Sequence, residues 1–141
     1  MGPLMRPEEQ FHRAVVQLLQ VYQSRGLLTF CHVPNGGWRK PTEAAALKAL
    51  GTTPGVPDLL IWLPGGGHFQ VELKAGAGKL SAHQAAWISR MTDMGVAVHV
   101  IRSLDGLEVL LRAKGVPPVG TLASAADAKA RGDAALQERA R

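Results

Sequence analysis

Asp58 and the pair Glu72 and Lys74 are the residues of this sequence whose types and spacing could do chemistry. Asp58 closes the run Gly55-Val56-Pro57-Asp58 at the head of an apolar stretch, and Glu72-Leu73-Lys74 ends an alternating one. Successive strand residues point to opposite faces, so Glu72 and Lys74 share a face, about 7 Å apart along the strand. Two carboxylates and one amine gathered in one place can hold a divalent cation and activate a water beside a phosphate. A hard ion such as Mg²⁺ prefers oxygen ligands, so carboxylates, a main-chain carbonyl and waters suit it. The Lys74 ammonium can orient that water or stabilise charge in the transition state. The combination points to a metal-dependent nuclease, and it does not suit a covalent serine or cysteine mechanism. Taken singly, each residue reads equally well as a strand-end acid, a surface acid or a surface lysine. Taken together, with a glycine hairpin between them, they favour the chemical reading.

The elements around them must do the positioning. Pro7, Glu8 and Glu9 open a helix in the expected way. Phe11, Val15, Leu18, Leu19 and Tyr22 recur at helical spacing until Gly26 ends it. One turn back from Phe11 that apolar stripe lands on Glu8, an unexpected place for an acid. Leu27 to Val33 reads as a strand, Pro34 to Gly37 as a loop, and Thr42 as the cap of a short helix from Glu43 to Leu50. Asp58 to Leu63 is apolar at nearly every position, as in a central strand buried on both faces. Pro64-Gly65-Gly66-Gly67 is a tight connection to an alternating strand, His68 to Lys74. A hairpin centred on Gly65 puts Asp58 directly opposite Glu72, and a slip of one residue would separate them across the sheet.

Ser81 caps a long helix that carries Gln84, Trp87, Ile88 and Met91. Val96 to Ile101 is a further strand and Leu104 to Leu111 a last helix. The strand, helix, strand passage from His68 to Ile101 predicts a right-handed parallel crossover. The sum is an α/β domain with a mixed sheet, over residues 1–114. From Gly115 onward, with Pro117 and Pro118 and then an alanine-rich run, residues 115–141 read as an appended tail, flexible or locally helical.

At 141 residues, 46% hydrophobic and 19% charged, the chain is of single-domain size and is not disordered throughout. A net charge of +5 favours approach to a polyanion and says nothing about fold. One cysteine, Cys31, excludes an intramolecular disulfide; in its apolar surroundings an inert buried thiol is expected. The absence of a long apolar run and of a basic-then-apolar leader predicts a cytoplasmic protein with no membrane partner.

Other candidates are weaker. Gly78-Lys79 lacks the rest of a phosphate loop. The five histidines show no paired metal-ligand spacing and read as structural or surface residues. Arg39, Lys40, Lys48 and Lys79 are candidate phosphate contacts, although a solvated surface explains each as well. Gln84 sits in the first turn of the helix after the Glu72 strand, close to Lys74.

The order Glu8, His32, Asn35, Arg39, Lys48, Gly51, Gly55-Val56-Pro57-Asp58, Glu72-Leu73-Lys74, Ser81 and Gln84 resembles the VRR-NUC family. These are the virus-type replication-repair nucleases of the PD-(D/E)XK superfamily. The resemblance runs from about Glu8 to Ser103. It implies a restriction-endonuclease-like α/β core and Mg²⁺- or Mn²⁺-dependent hydrolysis of phosphodiesters. It makes Asp58, Glu72 and the Leu73 carbonyl the metal ligands, with Glu8 as an additional ligand and Glu9 as the alternative acid. Lys74 would assist the nucleophile and Gln84 would orient the site; Asn35 joins the basic residues as a nucleic-acid contact. Small stand-alone members, from phage and bacteria, resemble junction-resolving dimers, which implies a homodimer acting on branched DNA. The other readings are flap, linear duplex or RNA cleavage, and a non-catalytic nucleic-acid-binding module of the same fold.

Overall fold

An alternating strand on each side of a glycine turn builds the centre of the molecule. In the computed structural model, which describes residues 4–119, 133–134 and 136–140, β2 (Leu59–Trp62) and β3 (His68–Leu73) pair antiparallel. Their register sets Leu59 against Val71 and Leu60 against Gln70. The same register, carried one residue beyond β2, sets Asp58 against Glu72, as a turn centred on Gly65 requires. Gly65 and Gly66 both have positive φ, at 93° and 87°, a conformation that side chains disfavour.

Two further strands complete a four-stranded sheet in the order β1-β2-β3-β4. β1 (Thr29–His32) pairs antiparallel with β2, and β4 (Ala97–Ile101) pairs parallel with β3. The helix α3 (Ala82–Asp93) makes the crossover between the parallel strands. The architecture is therefore α/β with a mixed sheet flanked by helices.

The pleat decides what each face meets. Leu59, Ile61, Phe69 and Val71 point to one face and are fully buried against α1 (Pro7–Ser24) and α4 (Leu104–Ala113). Val15, Leu19 and Tyr22 of α1 and Leu107, Leu110 and Leu111 of α4 close that core. Each such side chain contributes roughly 1.5–3 kcal/mol of burial. Asp58, Gln70 and Glu72 point to the other face, where α3 covers β3 and β4.

Because α3 does not extend over β1 and β2, the outer face there is open. Trp62 is 38% exposed, so β2 is buried on one face and not on both as its apolar run suggested. Cys31 lies on the same open face of the edge strand and is exposed, correcting the expectation of a buried thiol. α2 (Pro41–Ala49) also starts earlier than expected. Pro41 takes the first helical position, where its missing N–H is harmless, so Lys40 rather than Thr42 is the capping residue, with no side-chain cap bond.

The loop into Asp58 is held tightly. Gly55 has φ +86°, and a Cβ there would overlap the His83 carbonyl in the first turn of α3. Glycine at this position lets the Asp58 loop lie directly on the helix that carries Gln84. Beyond α4, Val116 is buried in the core, Val119 packs against it, and Arg25 Nη1 donates to the Val119 carbonyl. The expected tail lies mostly outside the described residues. Among those described, no helix is long and apolar enough to cross a membrane.

Candidate active site

Asp58 is fixed through both its backbone and its side chain. Its carbonyl accepts from the Val33 N–H at 2.8 Å and from His32 Nδ1 at 2.8 Å, which ties it to the end of β1. Its Oδ2 accepts from the Leu73 N–H at 2.8 Å, which ties it to the end of β3. The carboxylate thus stands at the point where both neighbouring strands terminate.

Glu72 is only 4% exposed. Its Oε1 accepts from Gln84 Nε2 at 2.8 Å and lies 3.5 Å from Lys74 Nζ. Gln84 is itself immobilised, because its Oε1 accepts from the Ser81 N–H while Ser81 Oγ accepts from the Gln84 N–H. This reciprocal cap closes the first turn of α3 and aims the Gln84 amide at Glu72.

The pair of carboxylates is electrostatically unsatisfied. Burial first, and then the charge of Asp58, push the Glu72 carboxyl up to about 7, against the opposing pull of Lys74. A cation between the acids would relieve both causes, so the donor set fits a hard divalent ion. The two carboxylates offer it oxygen ligands at the cleft that Leu73 also lines.

Glu8, Asp58, Glu72, Leu73, Lys74 and Gln84 all line one cleft of about 510 Å³. Glu9, His12 and Arg13 complete its rim. Glu9 is engaged by Arg13 at 2.9 Å, whereas Glu8 has no ion-pair or hydrogen-bond partner among the described residues. The helix α1, which packs on the apolar face of the sheet, thus brings its acidic first turn to the strand ends.

The basic candidates lie elsewhere. Arg39 and Asn35 line a second cleft of about 530 Å³, on the side of Trp87. Arg39 pairs with Glu43 at 3.6 Å, and the Asn35 amide donates to the Thr53 carbonyl at 3.1 Å and the Val56 carbonyl at 3.4 Å. Asn35 therefore braces the loop that leads to Asp58. Lys40 precedes α2, Lys48 is in its last turn and Lys79 precedes α3; all three are exposed.

Two histidines set aside on sequence grounds stand beside Asp58. His12, His32 and Asp58 offer ligand atoms that all lie within 4.8 Å of one another. The rings meet edge-on, with centroids 4.5 Å apart. Burial and then the neighbouring His32 lower the basicity of His12, against the charge of Asp58. Their separation in sequence gave no ligand spacing to detect. The available signals were His12 one turn after Glu8 and His32 at the strand end next to Asp58.

The model of the VRR-NUC domain matches residues 6–105 of the chain. A solved structure described as a VRR_NUC domain protein superposes with a TM-score of 0.59 at 18% identity, covering 79% of this chain and 89% of that one. At that identity the likeness speaks to the fold. No curated protein matches the chain.

Proposed function

The chain belongs to the VRR-NUC domain family, and on that footing we propose that it is a metal-dependent, structure-selective DNA endonuclease acting on branched DNA such as four-way junctions. The observation that carries this reading is the buried Glu72 beside the half-buried Asp58, with Lys74 3.5 Å from Glu72, opening onto a cleft. A protein that only bound a polyanion would gain nothing from two clustered acids facing it.

In this reading Asp58, Glu72 and the Leu73 carbonyl hold Mg²⁺ or Mn²⁺, with Glu8 as a further oxygen ligand from the rim. The bound ion supplies Lewis acidity toward a phosphate oxygen and lowers the pKa of a water. Lys74 places an ammonium beside the attacking water and offsets negative charge as it develops on the phosphate. Gln84 keeps the Glu72 oxygens in one orientation and so limits the reorganisation needed at the moment of reaction. Arg39, Lys40, Lys48 and Lys79 contact the phosphate backbone, adding affinity without reading sequence. Asn35 acts with them as a nucleic-acid contact.

The nuclease unit is residues 1–114 together with the stretch to Val119 that packs on its core, with the rest of 115–141 as an appendage, and it works in the cytoplasm of a bacterial or phage-infected cell. One such unit has one site, so paired cuts in opposed strands of a junction call for a homodimer. The test is a cleavage panel of four-way junction, flap, single strand, linear duplex and RNA with Mg²⁺ or Mn²⁺. The junction should be cut fastest, and Lys74→Ala should lower its cleavage by about 10²-fold or more. Faster cutting of another member of the panel would replace the junction as substrate, and an undiminished Lys74→Ala rate would overturn the site.

A further inference from the structure

We propose that His12, His32 and Asp58 form a second cation site, suited to a borderline ion such as Zn²⁺ or Co²⁺, sharing Asp58 with the acid–lysine site. Each residue offers one ligand atom, and these lie within 4.8 Å of one another. Donors about 2.1 Å from one tetrahedral ion lie roughly 3–4 Å apart, so small side-chain rotations close the set.

The hydrogen bonding of His32 prepares it as a ligand. A carbonyl oxygen only accepts, so the 2.8 Å contact to the Asp58 carbonyl makes His32 Nδ1 the protonated nitrogen. The lone pair is then on Nε2, and the ring is held in one orientation. Metal-binding histidines are oriented by this kind of bond to a carbonyl or carboxylate. Here the carbonyl belongs to Asp58, another member of the set.

His12 arrives from α1 edge-on to that ring, at an interplanar angle of 86°. Among the described residues its ring makes no hydrogen bond, so no protein group competes for its nitrogens. It lines the cleft, which gives an ion a route in. Glu8 precedes it by one helical turn and leaves a carboxylate on the same rim.

Imidazole nitrogen favours Zn²⁺, Co²⁺ and Ni²⁺ over Mg²⁺, which holds its waters and prefers oxygen. The two ligand sets therefore differ in the ions they select. The second site does not depend on whether Glu72 supports hydrolysis.

Co²⁺ is the probe. The metal-stripped full chain is titrated with Co²⁺, following visible d–d absorption and heat. The wild type and Glu72→Gln should both bind, with bands characteristic of nitrogen ligation. His12→Gln and His32→Gln should each weaken binding by about 10-fold or more and alter the bands. Among the described residues the His12 ring holds no hydrogen bond, so His12→Gln gives the cleaner reading, with far-ultraviolet dichroism as the check on folding. Wild-type affinity and spectrum in folded His12→Gln would overturn the proposal, as would a wild type that takes up no Co²⁺. Loss of Co²⁺ binding in Glu72→Gln would mean that the acid–lysine site alone holds the ion. Failure of junction cleavage with these Co²⁺ results intact would remove the nuclease reading and leave the histidine site standing.

Discussion

β3 presents two buried polar side chains to α3, and the helix holds them in opposite ways. Gln70 is 6% exposed and neutral. Its Oε1 accepts from Trp87 Nε1 at 2.9 Å, and its amide nitrogen meets His68 Nε2 at 3.2 Å and the Met91 sulfur at 3.8 Å. Every polar group in that arrangement has a partner and no charge is taken from water, so it acts as a fastener. Glu72, two residues on, is buried as deeply but is an acid beside another acid, with a carboxyl pushed up to about 7. Strand, helix and face are the same; charge and access to a cleft are what differ. A buried polar residue marks a site of chemistry when its partners leave it poised, and marks architecture when they satisfy it.

The sharpest separation of the two positions comes from Glu72→Gln. The substitution keeps the shape of the side chain and removes the charge that would hold a divalent ion. Single-turnover cleavage should fall by roughly 10³-fold or more while the fold is retained. A rate near that of the wild type would erase the distinction, leaving Glu72 as another fastener.

Much of this end of the sheet was legible in the sequence, for local reasons. The glycines after Pro64 fix the turn, the alternation of Phe69, Val71 and Leu73 fixes the face, and together they set Asp58 opposite Glu72. Ser81 and Gln84 were placed correctly at the start of a helix because the cap is a short-range motif. What failed depends on contacts between distant elements. The exposure of Cys31 follows from how far α3 extends over the sheet, which no run of apolar residues encodes. The meeting of His12 and His32 requires knowing that α1 crosses toward the end of β1. The start of α2 is different: Pro41 signalled it, and Thr42 was the more conspicuous but wrong cap.

The next prediction uses pH, with metal removed by chelation. The Glu72 carboxyl stands at about 7 in the fold, against an ordinary value of 4.5. Between those values the folded chain binds more protons than the unfolded one, so stability must fall as pH rises. The contribution is present in full below pH 4.5 and is lost once pH passes 7, a change of about 3 kcal/mol at most. Urea unfolding at pH 5 and pH 8 should therefore show the wild type losing more stability than Glu72→Gln, and a saturating divalent ion should restore much of the difference. Parallel pH profiles for the two proteins would show that the acid is not strained by its surroundings. Gln70→Glu provides the converse, since a carboxyl at that position should acquire a similar dependence.

The smallest effect tests the fastener itself. Gln70→Ala leaves the Trp87 N–H without an acceptor between helix and sheet, which should destabilise the fold by about 1–3 kcal/mol. Cleavage per folded molecule should be unchanged, because Gln84 and not Trp87 contacts Glu72. Trp87→Phe removes the donor instead and leaves the Gln70 oxygen unmatched. If the two side chains act as a pair, the double variant should be less destabilised than the sum of the singles, by about 1 kcal/mol in a urea double-mutant cycle. Strict additivity would mean that each side chain contributes through packing alone. In that case the 2.9 Å contact would not be what holds α3 to β3 at this point, and the clamp would rest on Gln84 and the site end of the strand.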